Sequence, residues 1–305
     1  MAVKQQAELG LSVNAQSIGF FGSHKWLALF PIASFVFSLV FIALVAFGVF
    51  EIAFSTDLVV KAKAVIEPLI EGDAGSGQEN DKMKLLSVAG FVVLFCLHVC
   101  ISFVFKFFNV ALAACVLEIF EGKSTGFLGG VSIATRRLGA VFSWSFISAT
   151  VGSISSLVER RGFGIATILT MLAGLAWRMA TFFVVPIIAS KNTGSVSAIK
   201  ESVHLMRSVW GASVVSRLGL SWLKLVLFGI VVAGLSLVHL ISGPQALIDS
   251  LAVVTPIGLI AIVFFSCVGT ISRAALFYYA SKNLVPSQFN GETLRNAIVE
   301  KRGKH

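Results

Sequence analysis

"LALFPIASFVFSLVFIALVAFGVF", residues 27–50, runs for 24 residues without a charged side chain. About 20 helical residues cross the ~30 Å hydrocarbon of a bilayer, so the stretch reads as a transmembrane span. Five more apolar runs follow, at Leu85–Phe105, Leu138–Val158, Gly164–Ser190, Leu218–Ile241 and Leu251–Ser272. The second and sixth continue helically to about Phe120 and Ala280. All are continuous runs and not period-2 alternations, which excludes an outer-membrane barrel. The predicted fold is an all-α, multi-pass bundle of six spans, residues 1–305 forming a single transmembrane domain.

Composition agrees. The chain is 56% hydrophobic and 13% charged, about half the charged share of a soluble domain, with mean hydropathy +0.91. Met1–Lys25 is polar and the first span is too long for a cleaved signal, so it reads as a signal anchor. With six spans the N-terminus, second loop, fourth loop and C-terminus share one side. Of the 24 Lys and Arg residues, fourteen lie on that side, six on the other and four within spans. The positive-inside rule then puts both termini in the cytoplasm, in a prokaryotic inner membrane. The net charge of +9 fits this bias and attraction to anionic lipid; the basic residues are too dispersed for nucleic-acid binding.

Cys96, Cys100, Cys115 and Cys267 all fall in apolar helix. They read as packing residues, because a structural metal site needs about four ligands and His98 points off the Cys96–Cys100 face. No disulfide framework and no cofactor is expected.

The longest polar insertion, residues 51–84, sets seven carboxylates against four lysines on the non-cytoplasmic side. It reads either as a solvated hairpin cap or as an acidic lobe that docks a protein partner. Residues 283–305 form a cytoplasmic tail. Each even-numbered span ends in a short polar break: "EGKSTG" (121–126), "ASKNTG" (189–194) and "ASKNLVPS" (280–287). An amphipathic stretch comes next, most plainly "SVSAIKESVHLMRSVWG", where Val196, Ile199, Val203, Met206 and Trp210 recur at helical spacing. The pattern predicts three repeated helical hairpins with amphipathic interfacial helices.

"SAIKESVHLMRSVWG", following "FFVVPIIASKNTGS", resembles the Ala-Ile-Lys-x-Ser…Trp-Gly segment of uncharacterised prokaryotic six-span membrane proteins. That group is in turn loosely similar to the membrane domain attached to some glycerophosphoryl diester phosphodiesterases. "FFNVALAACVLEIFEGKSTG" is similar to the same group's preceding hairpin. The resemblance covers most of residues 85–225. It implies an all-α integral membrane fold and supplies no catalytic residues.

Lys106, Arg178, Lys224 and Arg273 lie within or at the inner ends of spans, and no Asp or Glu lies inside any span. A central cation costs ~2.5–3.5 kcal/mol on insertion scales, so each is a functional candidate unless it snorkels. Lys224, two turns inside a cytoplasmic end, reads as a snorkelling residue. The other three adjoin small or hydroxyl residues of the kind that mark helix–helix faces. His98, Ser102 and Lys106 line up at four-residue spacing with Asn109 one turn on; Thr170, Gly174 and Arg178 form a similar line; Ser266, Gly269 and Thr270 adjoin Arg273. The three cations are therefore expected to project toward protein. Arg178 has two readings: a clamp tying helices through backbone carbonyls, Asn109 or a hydroxyl, or an anion ligand converging with Lys106 and Arg273 on a lipid phosphate. Pro186, two turns later, would free the Phe182 carbonyl as an acceptor. His98 reads as a packing histidine, since a proton relay needs acidic partners.

"GKST" at 122–125 lacks the glycine of a P-loop five positions earlier, where Leu117 stands. No His-Glu-x-x-His occurs and no span holds a carboxylate, so intramembrane metallo- and aspartyl-protease chemistry is excluded. Two functions remain. One is binding or transport of an anionic lipid or solute, with Lys106, Arg178, Arg273, Asn109, His98 and Ser102 as candidate ligands. The other is a non-transporting scaffold or assembly factor for another membrane complex.

Overall fold

The structure is a computed structural model that describes residues 2–54, 78–159, 165–208, 212–291 and 294, with side chains described over most of these outside 2–11, 52–90, 156–171 and 212–247. Helix α1 (Ala2–Ser23) leads through a 3-10 turn at Lys25–Ala28 into α2 (Leu29–Phe54). Then come α3 (Gln78–Phe120), α4 (Phe127–Thr135), α5 (Leu138–Glu159), α6 (Ile165–Ala180), α7 (Val184–Ser190), α8 (Ser195–Ser208) and α9 (Ala212–Lys282).

Five helical segments among the described residues are long and apolar enough to cross a membrane: Lys25–Gly48, Phe91–Phe120, Leu138–Ser155, Leu172–Ser190 and Ile248–Lys282. They coincide with five of the six expected runs. Leu218–Ile241 is helical within α9, but its side chains fall largely outside the described residues. The expected turn before the last span is absent. α9 passes through Gly243 and Pro244 without reversing. A reversal is held only by packing of its two arms, and Leu251, Ile257, Ile260 and Ile262 stay exposed instead. The 51–84 insertion is also shorter than expected, since α2 reaches Phe54 and α3 begins at Gln78; residues 55–77 between them lie outside the described residues, as do 295–305 of the tail.

The core sits at one end of the bundle. On α3, Val110, Ala111, Ala113, Cys115 and Val116 are wholly buried, whereas Phe91–Leu94 at the other end are exposed. Small residues let neighbours approach from every side, and α2, α4, α5, α7 and α9 all pack around α3. The C-terminal ends of α3, α7 and α9 thus meet in one hub. Away from it the spans present side chains such as Leu44 (65% exposed) and Phe47 (62%) outward, as lipid-facing residues should.

Helix α1 was not foreseen as part of this hub. Its buried positions, Val13, Asn14, Ser17 and Phe20, recur at helical spacing and pack on α9. Ser272 donates within reach of both Asn14 Oδ1 (2.9 Å) and Ser17 Oγ (2.8 Å). Phe20, Phe120 and Phe289 pack ring to ring at 5.2–6.3 Å, joining α1, α3 and the chain beyond α9. Gln16 accepts from the Asn290 N–H at 2.8 Å.

The fourth span is not one helix. It breaks at Thr181–Phe183, and α7 starts anew at Val184. Pro186 explains the position: it offers no N–H and its ring collides with the carbonyl of Phe182. A break inside a span leaves backbone groups that lipid cannot satisfy. Here α8 supplies the partner, as Ser202 Oγ accepts from the Phe183 N–H at 3.0 Å, both groups being buried. Ser202→Ala is therefore expected to lower stability by about 1–3 kcal/mol, the cost of an orphaned buried donor. Thermal unfolding in detergent, with Ser202→Thr as the control that keeps the acceptor, measures it.

Candidate functional site

Two features dominate the membrane-embedded part of the hub: a polar chain between α3 and α9, and an apolar cavity beside it. Arg273 is half-buried on α9. Its Nε donates to the Gly269 carbonyl one turn back (2.9 Å), and Nη2 donates to Thr270 Oγ1 (3.0 Å). Thr270 in turn donates to Asn109 Oδ1 on α3 (3.0 Å). Arg273, Thr270 and Asn109 therefore form one continuous chain, and two of its members are residues the sequence singled out as ligands.

The remaining candidates are dispersed. Lys106 is half-buried on α3 with its Nζ 5.9 Å from the centre of the Trp144 ring on α5, within cation–π range. Trp144 stacks on Trp177 of α6 at 6.0 Å. Ser102 is half-buried and His98 exposed. Arg178 is exposed as well, though engaged in an interaction of its own. It stands on α6, which packs chiefly on α5 and α8, and among the described contacts none brings it to Lys106 or Arg273. The side chain of Lys224 lies outside the described residues.

A backbone clamp of the kind considered for Arg178 exists at Arg137. Its Nη1 donates to the carbonyl of Ile188, near the C-terminus of α7. Burial pushes the Arg137 guanidinium below its usual pKa, with Glu118 opposing the shift. A cation there is misplaced for its own element, since it precedes the positive N-terminal end of α5. That misfit was the available signal that Arg137 serves another helix.

The three polar breaks meet ion pairs at the hub's rim. Glu121 pairs with Lys123 at 2.7 Å and also with Lys282, so one carboxylate joins the first break to the last. Lys191 of the second break pairs with Glu201 of α8 at 2.6 Å. Lys123 first, then Lys282, holds the Glu121 carboxyl below the ordinary carboxylate range. Its contribution is complete above the usual pKa and is lost as pH falls through the lowered one. Gly122 (φ 74°) and Asn283 (φ 55°) take the left-handed conformation that ends α3 and α9.

The cavity, of about 560 Å³, lies between the start of α2, α3 and α9. Phe35, Phe105, Phe108, Leu112 and Val263 supply much of its wall, and Ser34, Asn109 and Ser266 are its polar members. Ile260 and Ile262 on its rim are 70% and 66% exposed, so it opens toward lipid. Ser34 is buried and its Oγ has no hydrogen-bond partner.

Cys115 and Cys267 are buried and donate to the carbonyls of Gly126 and Leu27, while Cys96 and Cys100 are exposed. Among the described residues no cluster of His, Cys, Asp and Glu could hold a metal.

No curated protein and no solved structure matches the chain. Residues 88–286, which include α4 to α8, about three quarters of α3 and the whole of α9, match a family of unknown function, DUF6159. This multi-helix membrane protein belongs to that family.

Proposed function

We propose that the protein binds an anionic lipid in the half of the bilayer nearer the hub, with Arg273 as the headgroup-side ligand and Asn109 and, deeper on α3, Lys106 as further ligands. The observation that carries this reading is the Arg273–Thr270–Asn109 chain, which ends in the wall of a lipid-facing cavity. Arg273 sits nine residues inside Lys282, ~13 Å along the helix, deep enough to require partners and shallow enough to meet a phosphate. The three polar breaks, each of which carries a lysine, fit the same class of ligand. The location that goes with this reading is a prokaryotic inner membrane with cytoplasmic termini, the fourteen-to-six bias of basic residues being the count for the six-span arrangement expected from the sequence. The role assigned is binding and not catalysis.

The test is native mass spectrometry of protein from nanodiscs of phosphatidylcholine with a minor fraction of phosphatidylglycerol. The wild type is expected to retain phosphatidylglycerol preferentially. Arg273→Gln and Lys106→Gln should each reduce that retention about tenfold, the usual effect of losing a charge-assisted hydrogen bond. Loss only in Arg178→Gln would move the site to α6. Unchanged retention in all three would leave the scaffold role, with residues 51–84 as the docking lobe.

A further inference from the structure

The cavity contains a hydroxyl with nothing to bond. Many helical serines and threonines elsewhere turn back to the carbonyl four residues earlier: Ser17 to Val13 (2.9 Å), Ser145 to Val141 (2.8 Å), Thr150 to Phe146 (2.9 Å) and Thr255 to Leu251 (2.7 Å). This is the easy solution for a hydroxyl in hydrocarbon. Ser34 does not adopt it, although it is 2% exposed and lines the cavity. Ser38, one turn after Ser34 and outside the cavity lining, shares its lack of a partner. Across the cavity from Ser34 stands Asn109, whose Oδ1 is committed to Thr270. Its amide nitrogen remains as donor. Two donors, one on α2 and one on α3, therefore border a cavity that is otherwise almost wholly apolar.

A carbonyl oxygen has two lone pairs and can accept from both. The depth also matches. The α9 residues lining the cavity, Leu259 to Ser266, all lie deeper than Arg273, the nearest by seven residues or ~10 Å. Asn109 bonds Thr270, one turn below Arg273. From Arg273 inward the order is thus cation, uncharged donors, apolar wall, with Lys106 deeper on α3 and turned to Trp144 outside the cavity lining. A glycerolipid has that order too: phosphate, ester carbonyl, acyl chain. The volume of 560 Å³ falls within the ~300–1,000 Å³ of small-ligand sites.

We propose that this cavity is an ester-and-chain subsite for a glycerolipid: one acyl chain fills it and the ester carbonyl accepts from Ser34 and Asn109. This rests on the lipid-binding reading above and names the part of the ligand that reading leaves open. The test compares two phosphatidylglycerols with the same headgroup, one with ester-linked oleoyl chains and one with ether-linked oleyl chains. Each is presented at equal mole fraction in phosphatidylcholine nanodiscs, and retained lipid is counted by native mass spectrometry. The wild type is expected to retain the diester about threefold to tenfold better, the range of one or two neutral hydrogen bonds. Ser34→Ala should fold as well as the wild type, having no protein partner to lose, and should remove most of that difference. Ser266→Phe, which fills the cavity, should lower retention of both lipids. Equal retention of diester and diether by the wild type, or an ester preference that survives Ser34→Ala, would overturn the proposal. A preference for phosphatidylglycerol without an ester preference sinks the subsite and spares the headgroup reading. An ester preference without a headgroup preference does the reverse.

Discussion

Gly130→Val is expected to cost about 3 kcal/mol, at the upper end for overpacking a tight interface. Gly130 is where α4 seats on α3. A Cβ built there would meet Cys115 Sγ at 2.5 Å, the Ala111 carbonyl oxygen at 2.6 Å and Phe30 Cζ at 2.9 Å. The thiol and the ring can shift by rotation, but the carbonyl belongs to the backbone of the most buried helix and cannot. Gly130→Ala should be milder, because alanine recovers up to ~1 kcal/mol of helix propensity. Pairing Gly130→Ala with Cys115→Ala should restore only part of the loss, since the carbonyl contact stays. Thermal unfolding in detergent followed by tryptophan fluorescence orders the series. Wild-type stability in Gly130→Val would mean that α4 does not approach α3 so closely.

Arg137→Gln is expected to cost about 1.5–2 kcal/mol and to loosen α7 selectively. The guanidinium provides a charge-assisted hydrogen bond to the Ile188 carbonyl and a cation at the negative end of that helix. α7 is only seven residues long and starts at a break, so it has little helical cooperativity of its own. Hydrogen exchange is the sharper readout. The Lys191 N–H, which donates to Ile187 at 2.9 Å, should exchange faster in Arg137→Gln while the amides of Ala111–Val116 keep wild-type protection. Arg137→Lys should fall between, keeping the charge but not the fork. Uniform acceleration across the hub would point to a global role in place of a clamp.

Much of the fold was legible because hydrocarbon is an exacting solvent. Runs such as Leu27–Phe50 and Leu138–Val158 admit one interpretation, and five of the six expected runs overlap a helix long and apolar enough to cross a membrane. What was not legible depends on partners. The break at Thr181–Phe183 was half visible in Pro186, but only Ser202, nineteen residues on, makes it tolerable. Asn109 and Arg273 stood out as polar residues at depth, and Thr270 links them. Arg178 stood out by the same rule, yet depth along a span says nothing of which face a neighbour covers. Arg137 was passed over because it lies at a span's edge, where charge costs little. Ser34 gave no signal at all: a serine in a span is ordinary until its back-bond is found missing. Helix α1 was passed over because Met1–Lys25 was read only as a polar lead-in to the first span, while Asn14 and Ser17 face Ser272.

That α1–α9 seam also constrains the order in which the protein can be made. Ser272 lies 258 residues after Asn14, so the polar seam of α1 has no partner until the end of α9 is synthesised. At ~5–20 residues per second that is an interval of roughly 10–50 s. Throughout it Asn14 and Ser17 wait for Ser272, while Phe20 can already meet Phe120 of α3. Closing of this seam is therefore a late event, completed when α1 and the end of α9 meet.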